Sequence, residues 1–565
     1  MKFKLFFLLI SYSFFAQNNY PKDYFAAPLN IPIELSGCFG ELRDNHFHSG
    51  FDIKTQKVEG MSVLASADGY VSRIKIGIYG YGKAIYITHP NGFTTVYGHL
   101  QRGNGAIENF IKEYQYKEKS YEIDVFLKPN QLPVNKGEII AFSGNTGGSG
   151  GPHLHFEFRD SKTENILNPM LFGFDKFIKD TKKPTINSLM VYPLDESSIV
   201  NQSNKPVAIN LDLQADGTYL AEKVRAFGKI GFGINTFDTF DNSYNKFGIY
   251  KAEVFNNGKS IFSYQFDSFP FEEFRYINAL LDYPRLITMK QRVQKLFMKS
   301  PYPLNIIKTD FNYGIVTMEI PNFSKAYRIE ISDFENNKTI ISVPIEYSLL
   351  PATNIQKVIH SKYFIKHLND NNFAKDNVEV FFPAGIFYDD FYMDFDVKGD
   401  SITIHNKTIP VHSNFTITID DKKHSDAELD KLFVAKVNGK NLDYELTSRK
   451  GRIFTGKTRE LGTYILAKDS IAPRISITKP IEGKWITNQK NIQIIASDSL
   501  SGIKSFNGYL NGKWILLEYE YKTKKLTHNL DDKIVLEGKN DLKVVVTDNV
   551  GNSTIFETSF FRSQK

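Results

Sequence analysis

The 565-residue sequence holds a single cysteine, Cys38, and only two tryptophans. One thiol makes no internal disulfide, so an exported form of this chain must be held by hydrophobic cores or by a metal. Long apolar runs are missing as well. Beyond the N-terminus nothing approaches the roughly 20 apolar residues that a membrane helix requires, so no span is expected in the mature protein. Charge of one sign is also scarce. A formal +6 over this length, without Lys/Arg clusters interleaved with aromatics, excludes a dedicated nucleic-acid surface. The sequence contains no His-Glu-x-x-His segment, and its glycine-rich stretch from Ser143 to Gly151 lacks the Gly-Lys-Ser/Thr ending of a phosphate-binding loop. No solenoid-type period is visible.

What is present is aromatic and strand-like. With 30 Tyr and 47 Phe, the chain is expected to be mainly β and to divide into three or four domains. Residues 1–16 read as a signal peptide: Met1-Lys2-Phe3-Lys4, the apolar run Leu5 to Phe15, then Ala16 before polar sequence. Export to the periplasm, cell surface or medium follows from that reading.

Gly and short β-type runs dominate residues 25–175. Val63-Leu64-Ala65, the Asp68-Gly69 turn and Tyr70 to Ile74 read as a hairpin, and Ala84 to Thr88 with Phe93 to Tyr97 as a second one about Asn91-Gly92. Between Asn104 and Tyr116, Ile107, Phe110, Ile111 and Tyr114 recur at helical spacing, which predicts one inserted amphipathic helix. The polar run Asp180 to Pro184 reads as a linker. Beyond it, strand-like segments divide softly near Pro351 and near Lys468 to Pro473, giving β-rich modules at 181–350 and 351–468 and a β-sandwich at 469–565.

Half of the 12 histidines, His46, His48, His89, His99, His153 and His155, fall before residue 160. A metal site concentrates its ligands in this way. His153 and His155 lie two apart on a probable strand, so both project from one face. His48 and Asp52 flank Gly50, which favours a loop entering a strand. Imidazole nitrogen and carboxylate oxygen are zinc donors, and three protein ligands plus a water form the usual catalytic arrangement.

These residues resemble a known family. His48-x-x-x-Asp52, Tyr97-Gly98-His99-Leu100 and Gly151-Pro152-His153-Leu154-His155-Phe156-Glu157 are similar to the M23 (lysostaphin/LytM-type) metallopeptidases, as are Val63-Leu64-Ala65, Gly80-Tyr81-Gly82 and Gly144-Asn145-Thr146-Gly147. The resemblance covers about residues 35 to 172. It implies an antiparallel β-sheet groove as the peptidase domain, placed at 17–180. It further implies Zn2+ on His48, Asp52 and His155, with His99 and His153 off the metal as catalytic groups and peptidoglycan peptides as substrate. His153 is favoured as base and His99 as stabiliser, although the sequence does not separate them. A catalytically silent wall-binding member and a surface adhesion protein are the alternatives; silent members commonly lack some of these residues, and here all five are present.

Of the other candidates, His46 is read as a residue at the rim of the site or just behind its ligands, His89 as an exposed turn residue, and Cys38 as a small buried residue. Arg43 and Arg159 are read chiefly as ion-pair partners. The insertion at 101–131 departs from shorter family members, and its helix is expected to line the groove, restrict it or do neither. Asp548-Asn549-Val550-Gly551-Asn552 and Ile471-Ala472-Pro473 resemble parts of bacterial immunoglobulin-like domains, which implies an immunoglobulin-like module at the C-terminus and a possible surface for a protein partner.

Overall fold

The computed structural model describes residues 20–321, 324–355, 360–531 and 534–563, so the expected leader at 1–16 lies outside the described residues. The chain is mainly β. Its first sheet is antiparallel throughout. The central path runs Leu35–Gly37, Phe51–Lys54, His153–Asp160, Phe93–Gly98, Lys83–Thr88, Gly69–Ile76 and Ile123–Phe126. The hairpin about Asn91-Gly92 forms, with Thr88 opposite Thr94 and Gly92 at a positive φ that suits its missing side chain.

The strands around Asp68-Gly69 correct the hairpin expected there. Ser62–Leu64 pairs with Ile139–Ser143 in a separate three-stranded sheet, whereas Gly69–Ile76 pairs with Lys83–Thr88. Val63 and Val71 are both fully buried. The chain between them crosses from one sheet to the other, so the two valines cover the same core from different sheets, which a hairpin would not allow. His99 marks a second crossing. It links Phe93–Gly98 in the large sheet to Leu100–Gly103 in the small one and takes a left-handed φ of 56°, a conformation that costs a non-glycine residue about 1 kcal/mol or more.

The predicted helix spans Gly105–Glu118 and buries Ile107 and Ile111. Phe110 and Tyr114 are partly buried beside them.

His89 is buried, not exposed as its place beside a turn suggests. Phe25 packs edge-on against the ring at 5.1 Å, its Nδ1–H donates to the Asp68 carbonyl at 2.9 Å, and its Nε2 pairs with the Thr95 hydroxyl at 2.8 Å. Burial lowers its pKa from 6.5 to about 4. Between those values the unfolded chain binds a proton that the folded one refuses, so stability present above pH 6.5 drains away as the pH falls toward 4. The gap is worth about 3 kcal/mol. Urea unfolding of the full chain at about pH 7 and about pH 4.5 is expected to show a steeper acid loss in wild type than in His89→Gln; equal losses would contradict it.

The region after Pro184 is not a detached appendage. A 13-stranded sheet occupies the span from Thr185 to Tyr347, and one continuous hydrophobic cluster runs from Phe25 to Ile345 across the polar connection at 180–184. Ile166 pairs with Phe269 across the junction, and Phe39 stacks on Phe269 at 4.7 Å.

Two five-stranded sheets then enclose an independent core that includes Phe382, Phe415, Phe454 and Tyr464. Two four-stranded sheets form the last β-sandwich, from Arg474 to Arg562. This sandwich folds back onto the first domain, where Trp514 packs edge-on against Tyr116 of the inserted helix at 5.4 Å and Lys112 pairs with Asp531 at 3.1 Å.

Candidate metal centre

Strand alternation builds the site. On His153–Asp160 the residues Leu154, Phe156 and Phe158 are fully buried in the core, which turns His153, His155, Glu157 and Arg159 to the opposite face. Phe51 and Ile53 likewise face the core and turn Asp52 out beside them. The register places His155 directly opposite Asp52 on one side and Gly98 on the other. A Cβ at Gly98 would stand 3.4 Å from the Cβ of His155, so the glycine leaves room for the ring. His48, just before the Phe51–Lys54 strand, completes a buried trio.

The donor atoms converge. His48 Nε2 lies 3.0 Å from Asp52 Oδ1 and 3.2 Å from His155 Nδ1, and His155 Nδ1 lies 2.9 Å from Asp52 Oδ1. Tetrahedral zinc with bonds of about 2.0–2.1 Å would separate its donors by about 3.3 Å. The outward nitrogens are committed elsewhere. His48 Nδ1–H donates to the Cys38 carbonyl at 2.7 Å, and His155 Nε2–H donates to Glu157 at 2.8 Å. The other Asp52 oxygen accepts from Arg43 at 2.7 Å. Two imidazole lone pairs and a carboxylate oxygen are therefore aimed at one another, an arrangement that a cation resolves. Without one, burial lowers the His155 pKa, but hydrogen bonds to Asp52 and Glu157 outweigh it and raise it to about 9; a bound cation takes the place of that proton.

Glu157 organises the layer behind the ligands, a role not assigned from the sequence. Besides His155 it accepts from the Ser49 and Tyr81 hydroxyls, and its second oxygen takes two bonds from Arg159 at 2.8 and 2.7 Å. Burial penalises this carboxylate, yet Arg159 and His155 hold its pKa well below the usual range. The period-two run His153-Leu154-His155-Phe156-Glu157-Phe158-Arg159 carried the signal: every second residue is polar on a strand whose other face is core. Glu157→Gln is expected to weaken zinc binding by about 10–100-fold, read by chelator competition. It should also lower thermal stability, because Arg159 loses its buried counter-charge. Unchanged chelator resistance would contradict this role.

His99 and His153 border the same point, with rings 4.8 Å apart, and His99 lies 5.7 Å from the His155 ring. Carbonyls accept only, so Nδ1 carries a proton in both rings. His99 Nδ1–H donates to Thr146 O at 2.8 Å, and His153 Nδ1–H donates to Gly151 O at 2.8 Å. Each therefore turns its Nε2 toward the centre, that of His153 lying 3.3 Å from Asp52 Oδ1, a carboxylate oxygen that only accepts. Burial, reinforced by His155 and His153, lowers the His99 pKa to about 3.

The remaining candidates lie outside the donor group. His46 is exposed and bonds the Asp44 carbonyl. Cys38 is buried, with burial pushing its thiol pKa up, and serves His48 through its backbone. Arg43 and Arg159 both stand in ion pairs, Arg43 with Glu41 and Asp52, Arg159 with Glu157.

A three-donor centre on a β-sheet, backed by a buried carboxylate and bordered by two further imidazoles, is the constellation of a metal-dependent hydrolase. Residues 46–116 match peptidase family M23, and the N-terminal domain of this chain belongs to that family. Residues 362–469 match the Zu5-like domain. An uncharacterized metalloprotease of Haemophilus influenzae is 35% identical over 149 residues, which cover 26% of this chain and 25% of that protein. The DD-carboxypeptidase/endopeptidase Mpg of Neisseria meningitidis is 37% identical over 112 residues, 20% of each protein. The match thus spans a quarter or less of these curated relatives. The catalytic domain of the antimicrobial peptidase lysostaphin from Staphylococcus simulans aligns at 24% identity with a TM-score of 0.19, over 25% of this chain and 91% of that domain.

Proposed function

We propose that the chain is an exported zinc metalloendopeptidase that hydrolyses peptide bonds in peptidoglycan cross-links. The observation that carries the reading is the convergence of His48 Nε2, Asp52 Oδ1 and His155 Nδ1 with their outward atoms already hydrogen-bonded. Membership of the first domain in family M23 and the peptidase names of the relatives support it. His48, Asp52 and His155 would hold the ion. Zinc, when bound, supplies Lewis acidity toward an amide oxygen and acidifies water.

The protein's own groups do the proton work. In both His99 and His153 the Nε2 is the ring atom without a backbone partner, so it is there that a neutral ring would accept a proton, and the imidazolium that forms is stabilised by its backbone carbonyl, Thr146 O or Gly151 O. An imidazole that has taken up a proton becomes the donor for a developing oxyanion or a leaving amine. His153, nearer Asp52, is assigned as base and His99 as its partner. Export is read from the leader and the peptidoglycan substrate. Among the described residues no helix is long and apolar enough to cross a membrane.

The test is zinc content together with digestion of purified peptidoglycan by the full chain. Stoichiometric zinc with release of soluble peptides is expected. Protein that carries zinc yet releases nothing from any wall would sink the peptidase reading and favour the silent or adhesive alternatives.

A further inference from the structure

The glycine-rich stretch between Ser143 and His153 supplies the partners that orient both free histidines. Thr146 O holds His99, while Ser149 Oγ, at 3.1 Å, and Gly151 O hold His153. A segment containing Gly147, Gly148, Gly150 and Gly151 has few side chains with which to fix itself, and glycine loses more conformational freedom on ordering than any other residue. One side of the loop is fixed locally: Gly148 N–H donates to Gly80 O at 2.8 Å, and a Cβ at Gly147 would collide with backbone atoms of Gly80 and Gly82.

The other side is held from far along the chain. In the C-terminal sandwich the turn Tyr521 to Lys524 joins Glu518–Glu520 to Lys525–Asn529. From this turn the Lys522 ammonium donates to the carbonyls of Asn145, of Gly147 at 3.1 Å and of Ser149 at 3.2 Å. The three donors of the ammonium match these three backbone acceptors, with Glu520 as its ion-pair partner at 3.6 Å, and the carbonyls bracket Thr146, whose own carbonyl points to His99. Charge-assisted bonds of this kind are about twice as strong as neutral ones.

Other contacts also dock the sandwich on the first domain. Tyr521 lies 4.8 Å from the Tyr79 ring, Glu518 pairs with Lys83, and Leu516 joins the hydrophobic cluster of the first domain. With Trp514 on Tyr116, the inserted helix serves as part of that platform. Lys522 therefore has a separable task.

We propose that Lys522 is a positioning residue for the peptidase centre, acting from the C-terminal sandwich to hold the 145–151 loop so that His99 and His153 keep their aim. The proposal rests on the peptidase reading for its kinetic consequence only.

The experiment compares full-length wild type, Lys522→Met, Lys522→Arg and Lys112→Ala, the last as a control that breaks an exposed interface pair without touching the loop. In Lys522→Met, kcat on a soluble wall peptide is expected to fall about 10–100-fold, since small misplacements of catalytic groups cost this much, with KM within about twofold, zinc content unchanged and thermal midpoint held. Lys522→Arg should recover part of kcat, because it keeps the charge but not the point-like ammonium. Lys112→Ala should match wild type. In parallel, backbone amides of residues 144–151 should exchange hydrogen faster in Lys522→Met alone. Wild-type kcat and unchanged exchange in Lys522→Met would overturn the proposal, as would an equal kcat loss in Lys112→Ala. Exchange needs no turnover, so it decides the loop contact even if wild type proves inactive, an outcome that would count against the peptidase reading instead.

Discussion

Replacing His48 with alanine is expected to strip the protein of zinc and to slow peptide release from peptidoglycan by at least about a thousandfold, since a bound ion stabilises the transition state by several kcal/mol and each ~1.4 kcal/mol is tenfold. The argument is geometric. His48 Nε2 is one of three donor atoms within 3.2 Å of one another, and removing it leaves Asp52 and His155 as a two-donor remnant. The variant also orphans the Cys38 carbonyl, a buried acceptor worth about 1–3 kcal/mol. The thermal midpoint must therefore be recorded beside metal content, and His48→Gln, which can retain a donor to that carbonyl, separates the two effects. Retention of a full equivalent of zinc by a folded His48→Ala protein would refute the assigned ligand set.

Substitution of the free histidines should give the opposite pattern: zinc kept, catalysis lost by about 10²–10⁴-fold, the usual range for a positioned acid–base group. His99→Asn is the cleaner choice at that position, because the residue sits at a φ of 56° and asparagine tolerates the left-handed region better than alanine. His153→Ala tests the second imidazole. If both variants keep zinc and cleave within about threefold of wild type, neither imidazole takes part in proton transfer. If only one loses activity, that imidazole alone carries the acid–base work, a distinction the shared Nδ1–carbonyl anchoring of the two rings does not make.

Much of this centre was legible in the sequence because it obeys short-range rules. Two histidines separated by one residue share a strand face, and His48 and Asp52 sit on the adjoining segment; the fold then brings them to one point through a simple ladder in which His155 faces Asp52. The mainly β character followed equally directly from aromatic and β-branched runs. What stayed hidden depends on contacts without local pattern. His89 looks like a turn residue until Phe25 closes over it. Val63 and Val71 look like partners in a hairpin until a third strand, Ile139–Ser143, claims the first of them. The role of the helix insertion, to line the groove, restrict it or do neither, stayed open in the sequence because Trp514, its neighbour, lies about 400 residues away. Glu157 was visible as part of the run but silent, since its meaning comes from Ser49, Tyr81 and Arg159 arriving around it.

The return of the last sandwich to the first domain also sets an order of events in time. Synthesis proceeds from the N-terminus, so the strands that carry Asp52 and His155 emerge and pair while the docking partner is still unmade. Lys83 must wait for Glu518, 435 positions later, and the 145–151 loop for Lys522, some 373 positions on from Ser149. Closing so long a loop costs entropy that only the finished sandwich can offset. Assembly of this molecule therefore ends where it began, and a chain interrupted before its final hundred or so residues carries His48, Asp52 and His155 but lacks Glu518 and Lys522.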